Sequence, residues 1–141
     1  MNPQKLSDIS RIILHHSASP RDTTTIEDIR RWHVVDRGFD DVGYHFVIEG
    51  DGKVRVGRPL DCAPAAQKGA NNNTIAICIV GNNVLAAEKF GWNDSQKLSA
   101  VSLIVMLRTV FGKRLPFFGH RDVAPSECPG LEVRDVFPEL L

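Results

Sequence analysis

The sequence has no excess of either charge and no long apolar run, and each of these absences excludes a class of protein. Lysine plus arginine and aspartate plus glutamate both count 17, so the formal net charge at pH 7 is zero. Non-specific binding to nucleic acid depends on a cluster of positive charge, so we do not expect nucleic acid as a partner. No apolar run approaches the ~18 residues that a membrane-spanning helix needs, so we expect no membrane insertion.

Cysteine is also scarce. The three cysteines, Cys62, Cys78 and Cys128, form an odd and sparse set. Such a set argues against a disulfide framework and favours a reducing compartment or a role in metal binding. The first ten residues, MNPQKLSDIS, lack the apolar core of a signal peptide. We therefore expect the protein to be made and folded in the cytoplasm.

The chain does contain enough apolar material for one core. It has 141 residues, of which 43% are hydrophobic, and shows neither an internal repeat nor a linker. A chain of this size and composition fits one compact domain without disulfides. We predict that residues 1–141 form a single domain.

Short apolar runs bounded by turn residues predict five strands. Residues 74–80 (TIAICIV) are apolar almost throughout, as expected for a central strand that is covered on both faces. The segments 44–49 and 53–57 flank Gly50-Asp51-Gly52, which is typical of a β-hairpin. The remaining predicted strands are 11–16 (RIILHH) and 115–118.

Helical patterns alternate with these strands. The first predicted helix covers residues 25–36, with a capping box from Thr24 to Glu27 and apolar residues at helical spacing, namely Ile26, Ile29, Trp32 and Val35. The second begins at Asn93 or Asp94 and ends before Gly112. Its apolar residues are so dense that we expect it to be largely buried: Leu98, Val101, Ile104, Val105, Leu107, Val110 and Phe111.

A short terminal helix over 133–141, broken by Pro138, completes the order β, α, β, β, β, α, β, α. This order predicts an α/β domain with a central mixed β-sheet flanked by helices.

A loop near the end of the chain, GHRDVAPSECPG, contains two potential metal ligands. His120 and Cys128 stand eight positions apart in a segment too rich in proline and glycine for a regular helix or strand. Zinc in hydrolytic sites typically takes three protein ligands, so a third must come from another element. The two histidines that end the strand 11–16 are the best candidates, and because neighbouring side chains of a strand face opposite sides, only one of them can point at the ion.

Other polar residues are weaker candidates. We expect His33 to be a half-exposed surface histidine and His45 to be packed or hydrogen-bonded within the hairpin. Arg121 and Asp122 either brace the loop around the candidate ligands or form a plain surface ion pair.

Four blocks of the sequence together carry a resemblance to a known family. They are IILHHSAS at 12–19, DVGYHFVIEGDGKVRVGR at 41–58, KGANNNTIAICIVGN at 68–82 and GHRDVAPSECPG at 119–130. With these blocks in this order the chain resembles the zinc-dependent N-acetylmuramoyl-L-alanine amidases, the group that includes T7-type phage lysozymes and the peptidoglycan recognition proteins. The resemblance implies the family's fold, a single domain with a mixed central sheet and flanking helices.

The resemblance also implies a site. Its metal ligands would be His15, His120 and Cys128, holding one Zn²⁺ per chain, with no ligand role for His16. Tyr44 matches the tyrosine that lies at the reacting centre of catalytic members, where it would donate a hydrogen bond to the developing oxyanion.

Two positions depart from the family pattern. At position 126 the phage lysozymes of the group have a lysine, whereas this chain has a serine. Recognition proteins that retain amidase activity also have a small hydroxyl residue there. Ser126 could add a second hydrogen-bond donor. Ala66 replaces the histidine of the block H-x-K-G, while Lys68 and Gly69 remain, so one group that contacts substrate in the family is absent.

The function implied is hydrolysis of the amide bond between N-acetylmuramic acid and the L-alanine of the stem peptide. The substrate would be peptidoglycan or a muropeptide, and the protein a monomeric phage or prophage endolysin that reaches the cell wall after release by a holin. Two alternatives stay open: a cytoplasmic amidase of cell-wall recycling, and a non-catalytic peptidoglycan-binding module. The ligand cysteine argues against the latter, because binding-only members typically lack it.

Overall fold

The computed structural model describes residues 1–85 and 87–141 and has a five-stranded mixed sheet at its centre. Across the sheet the strands lie in the order β3-β2-β4-β1-β5. Strand β1 is parallel to β4 and β5, β2 is parallel to β4, and β3 is antiparallel to β2. The strands are β1 (Arg11–His16), β2 (Phe46–Ile48), β3 (Val54–Val56), β4 (Thr74–Ile79) and β5 (Phe117–Gly119). The predicted α/β class and all five strands are therefore confirmed.

The helices lie between and after these strands. Helix α1 continues into a π-helical turn over Trp32–Asp36, and single 3-10 turns occur at Leu6–Asp8 and Pro138–Leu140. The α-helices are α1 (Ile26–Arg31), α2 (Asp94–Phe111), α3 (His120–Val123) and α4 (Val133–Val136). The predicted terminal helix is thus two short pieces separated at Pro138, whose ring cannot continue an α-helix.

The sheet has helices on both faces because its central strand is apolar on both. Side chains alternate along β4, so Ile75, Ile77 and Ile79 join the larger core with α2 and the C-terminal residues. Cys78 and the following Val80 face the other way, into a smaller cluster with Ile26 and Ile29 of α1. Every residue of β4 is buried, as predicted for a strand that is covered on both sides.

The capping box of α1 lies one residue later than predicted. Thr25, not Thr24, is the N-cap: its hydroxyl accepts a hydrogen bond from the Asp28 amide, and the Asp28 carboxylate accepts one from the Thr25 amide. Three consecutive threonines make both registers equally consistent with the sequence. Glu27 is paired instead with Arg55 of the hairpin.

The apolar face of the first helix ends earlier than predicted. Ile26 and Ile29 are buried, but Val35 is 72% exposed. The prediction assumed a regular α-helix over residues 25–36, whereas the π-helical turn that begins at Trp32 changes the angular spacing of the side chains. Val35 therefore faces solvent.

The prediction that α2 is largely buried was wrong. The helix packs one side against the sheet through Ala100, Leu103, Ile104 and Leu107, and its opposite side faces solvent. Three of the residues expected in the core are exposed: Leu98 (69%), Val105 (50%) and Val110 (73%). The sheet supplies only one surface for this helix, so additional apolar residues around its circumference cannot be covered.

Within the described residues, no helix combines the length and apolarity needed to cross a membrane.

The start of α2 is tied to the sheet by a buried glutamine. The Gln96 amide nitrogen donates hydrogen bonds to the carbonyl oxygens of Val80 (2.7 Å) and Ile48 (3.3 Å), at the ends of β4 and β2. Its amide oxygen accepts one from Asn93 N, and Asn93 Oδ1 accepts one from Gln96 N. Asn93, one of the two predicted caps, is therefore the N-cap. Gly112 ends the helix in the left-handed conformation, as predicted.

We predict that Asn93→Ala lowers the free energy of unfolding by about 1–2 kcal/mol, because it removes the N-cap and the hydrogen bond that Asn93 donates to Gly50 O. Urea unfolding followed by circular dichroism measures the change. Asp94→Ala is the matched control, since Asp94 is exposed at the next position. Equal losses in the two variants would show that the cap is not the source of the effect.

Candidate metal centre

The pairing of β1 with β5 brings two histidines together. The strands run parallel, with Leu14 opposite Gly119, so the residues that follow these two in the chain, His15 and His120, emerge at the same edge of the sheet. Their ring centroids are 4.8 Å apart. His120 begins α3 directly after β5, so the turn of this short helix directs its side chain back over β1.

Cys128 completes the group from the loop after α3. Its Sγ lies 3.6 Å from His15 Nδ1, and the nearest ligand atoms of Cys128, His15 and His120 all lie within 4.8 Å of one another. In a tetrahedral site with Zn–N near 2.0–2.1 Å and Zn–S near 2.3 Å, a nitrogen and a sulfur ligand stand roughly 3.6 Å apart. Two imidazoles and a cysteine, which binds metal as its thiolate, could hold a metal ion at this spacing.

The loop that carries Cys128 is braced by hydrogen bonds of Arg121 and Asp122. Arg121 N donates a hydrogen bond to Cys128 O (2.7 Å), and the Asp122 carboxylate accepts one from Gly119 N (2.8 Å). The Arg121 guanidinium donates to Glu127 O and pairs with Glu132. Of the two roles considered for Arg121 and Asp122, the structure therefore supports bracing of the loop.

Burial sets the protonation of the three candidate ligands. Burial, reinforced by the neighbouring His120, lowers the pKa of His15 from 6.5 to about 3. Burial also lowers the pKa of His120 and raises the pKa of the Cys128 thiol from 9.0 to about 11. Both imidazoles are thus neutral near pH 7, and a neutral imidazole is the form that donates a lone pair to a metal.

Tyr44 lies beside this group, the position that the family resemblance implies. Its ring centroid is 5.2 Å from that of His15. Burial, with further contributions from Cys78 and Cys128, raises the pKa of the phenol well above 10. Gly57 packs against the Tyr44 carbonyl so closely that a Cβ at position 57 would overlap it, and the same carbonyl accepts a hydrogen bond from Arg58 N (2.9 Å). Tyr44 therefore stays protonated near pH 7 and can act as a hydrogen-bond donor.

A groove of about 700 Å³ opens beside the group. His120 and Ser126 line it together with Lys68, Arg37 and Asn71. Among the described residues that line this groove none is acidic, so its charge is positive. It is a concave site next to potential metal ligands, the usual setting for substrate binding.

Comparison with known proteins assigns the chain to a family. Residues 5–131 match the family described as N-acetylmuramoyl-L-alanine amidase. The endolysin of Escherichia phage T7 is 36% identical over 126 residues, which cover 87% of this chain and 82% of the endolysin. The chain belongs to the N-acetylmuramoyl-L-alanine amidase family.

Solved structures with the same fold include family amidases and recognition proteins. The bumblebee protein PGRP-SA superimposes with a TM-score of 0.85 at 26% identity, covering 100% of this chain and 86% of PGRP-SA. The N-acetylmuramoyl-L-alanine amidase LysC of Clostridium intestinale superimposes with a TM-score of 0.80 at 25% identity, covering 99% of this chain and 90% of LysC. The fold expected from the resemblance is confirmed.

Two other histidines of this amidase-family chain lie where the sequence indicated. His16 faces away from His15, and its Nδ1 accepts a hydrogen bond from Asn83 N. His45 is fully buried; its Nδ1 accepts a hydrogen bond from Ala76 N, and its Nε2 donates one to Cys62 O. Neither joins the group of candidate ligands, His15, His120 and Cys128.

The expectation for His33 was wrong, because this histidine is buried rather than half-exposed. It lies in the π-helical turn, and its Nδ1 accepts a hydrogen bond from Gly43 N at 2.8 Å. Its ring packs against Phe39 and, with centroids 5.5 Å apart, against Tyr44. The π-helical turn that exposes Val35 thus also turns His33 inward, where its ring packs against the ring of Tyr44.

The Ser126 side chain makes one hydrogen bond within its own loop. Its hydroxyl oxygen accepts a hydrogen bond from Cys128 N at 3.1 Å, and its side chain lines the groove. The hydroxyl hydrogen stays available for a group in the groove. Ala66 also lines the groove, so the histidine that the family pattern places there would have pointed into it.

Gln67 is a residue of the site that the sequence did not reveal. Its side chain is fully buried, and its Oε1 lies 2.8 Å from His15 Nε2. The two residues are 52 positions apart. Gln67 is the unspecified position x of the family block H-x-K-G, between Ala66 and Lys68. No local pattern distinguishes a glutamine that faces a histidine from one in a surface loop.

We predict that Cys128→Ser weakens Zn²⁺ binding by more than the roughly 10- to 100-fold that outer hydrogen-bond partners contribute, because it removes one of three ligands. Competition with a chromogenic chelator measures the affinity. Cys62→Ser is the matched control, since Cys62 is also a partly buried free cysteine but lies outside the group. Equal affinity in wild type and Cys128→Ser would exclude this metal centre.

Proposed function

We propose that this protein is a zinc-dependent N-acetylmuramoyl-L-alanine amidase that hydrolyses the amide bond between the lactyl group of muramic acid and L-alanine. The observation that carries the proposal is the group formed by His15, His120 and Cys128, which lies beside Tyr44 at the edge of a groove. Membership of the amidase family supports the reaction type. The presence of Cys128 favours a catalytic member over a module that only binds.

The donor set favours one zinc ion per chain. Zinc accepts mixed nitrogen and sulfur ligands, and in catalytic sites it keeps three protein ligands and one open position. When bound, zinc supplies a Lewis acid that activates water and polarises the amide carbonyl. His15, His120 and Cys128 would hold it, and the hydrogen bond from Arg121 N to Cys128 O keeps the third ligand in reach.

Tyr44 would stabilise the charge that develops on the scissile carbonyl oxygen. Its partly buried phenol remains protonated, so it donates a hydrogen bond and does not accept a proton. A donor fixed in a partly buried site stabilises a developing oxyanion more than water does, because it needs no reorientation during the reaction. The packing of His33 and His15 around the ring fixes that donor.

Ser126 and the groove would contact the rest of the substrate. The Ser126 hydroxyl can donate a hydrogen bond into the groove while it accepts one from Cys128 N. Lys68 and Arg37 provide the positive charge of the groove, which suits the carboxylates of a stem peptide. Among the described lining residues there is no acid, so none of them offers a carboxylate as general base.

The biological role we propose is that of a phage or prophage endolysin. The 36% identity to the endolysin of Escherichia phage T7 supports this role. Residues 1–141 would act as one monomeric amidase domain, made in the cytoplasm and acting on peptidoglycan after release by a holin. A recycling amidase would act instead on soluble anhydromuropeptides.

Digestion of purified sacculi tests the activity. We expect the wild-type protein to generate new L-alanine amino termini, and we expect a chelator or Cys128→Ser to abolish them while Cys62→Ser leaves them unchanged. Soluble anhydromuropeptide, assayed in parallel, separates an endolysin from a recycling amidase. The release of reducing sugar ends without new amino termini would refute the proposal, because that product belongs to a glycosidase.

We predict that Tyr44→Phe lowers kcat by about 10²–10³, the range for loss of one oxyanion donor, and leaves zinc content unchanged. Phenylalanine retains the packing against His15 and removes only the hydroxyl. Steady-state kinetics on a soluble muropeptide, with metal analysis of the same preparation, measures both quantities. An unchanged kcat would remove Tyr44 from the reaction.

A further inference from the structure

Within the described residues, Gln67 is the only hydrogen-bond partner of His15 Nε2. Gln67 Oε1 lies 2.8 Å from that nitrogen, and both residues are buried, with 0% and 1% of their surfaces exposed. The other ring nitrogen, Nδ1, faces Cys128 Sγ. The two nitrogens of one imidazole therefore face different environments, one an amide and the other the metal-ligand group.

The orientation of the Gln67 amide is set by its second contact. Gln67 Nε2 donates a hydrogen bond to Ala70 O (3.3 Å), and a carbonyl oxygen can be approached only by the NH₂ end of an amide. The oxygen end consequently faces His15. Because an amide oxygen only accepts, His15 Nε2 must carry the proton, and Nδ1 is left with its lone pair.

The loop that carries Gln67 is held by side chains on both sides. Asn71 Oδ1 accepts hydrogen bonds from the amides of Gln67 (3.0 Å) and Ala66 (3.1 Å). Arg11, at the start of β1, donates to the same Ala70 carbonyl that receives the Gln67 amide. The acceptor for His15 is thus fixed to the strand that carries His15.

We propose that Gln67 is a positioning residue for the metal centre: it holds His15 in the tautomer protonated on Nε2 and directs Nδ1 to the ion. A histidine ligand usually donates its other ring N–H to an oxygen acceptor, which fixes both the tautomer and the orientation of the ring. The inference rests on the zinc centre of the proposed function. It goes further by assigning the control of that centre to a loop residue outside the three ligands.

Two substitutions separate positioning of His15 from anchoring of the loop. Gln67→Met keeps the length of the side chain and removes both hydrogen bonds, so we expect zinc affinity to fall about 10- to 100-fold. Gln67→Glu keeps an oxygen acceptor for His15 Nε2 but cannot donate to Ala70 O. We expect its zinc affinity to equal or exceed that of wild type.

The affinities are measured by competition with a chromogenic chelator, without peptidoglycan. Equal affinity in Gln67→Met and wild type would overturn the proposal, and so would an equal loss in Gln67→Met and Gln67→Glu, since the lost loop anchor would then explain both. Wild-type protein that takes up no zinc would overturn this inference together with the zinc centre. Intact zinc affinity without amidase activity would refute only the proposed function.

A second measurement does not depend on whether the variants fold. The ¹⁵N chemical shifts of the His15 ring in wild-type, metal-free protein distinguish a protonated from an unprotonated nitrogen. We expect Nε2 to be the protonated one. A proton found on Nδ1 would overturn the assignment, because that nitrogen would then be unable to bind a metal without tautomerisation.

Discussion

The candidate metal centre depends on the parallel pairing of β1 with β4 and β5. Parallel strands end at the same edge of a sheet, so the register that sets Leu14 opposite Gly119 also brings His15 beside His120. Strand β1 is buried along most of its length, and its two histidines come where the apolar run ends. A shift of one residue in this register would turn His15 to the opposite face.

Four of the five histidines are buried, and what separates their roles is which ring nitrogens remain unused. A buried polar group without a partner costs about 1–3 kcal/mol, so each of these rings is hydrogen-bonded. His45 uses both nitrogens for structural hydrogen bonds. His15 uses Nε2 for Gln67 and presents Nδ1 to Cys128. The same requirement that satisfies a core histidine therefore also orients His15, a candidate metal ligand.

Exposure of α2 and the shift of the α1 capping box show where prediction from local sequence stops. Apolar spacing identified both helices, because that spacing follows from 3.6 residues per turn. It did not identify how much of α2 the sheet covers, and Leu98 and Val110 remain in solvent. Nor could it choose between Thr24 and Thr25, since both precede an acidic residue at the same separation.

The sequence determined the order of the five strands, of α1 and α2 and of the C-terminal helix, and with it the α/β class, whereas the short helix α3 was not predicted. The family resemblance singled out His15, His120, Cys128 and Tyr44, which the structure brings together. Those features follow from side-chain periodicity and from motifs whose members are local or shared with the family. Only the tertiary structure decided that His33 is buried, that Arg121 and Asp122 brace the loop, and that Gln67 faces His15 across 52 residues of chain. The physical reason is that a hydrogen bond between distant segments depends on where the backbone places both of them, and no periodicity in either segment encodes that meeting.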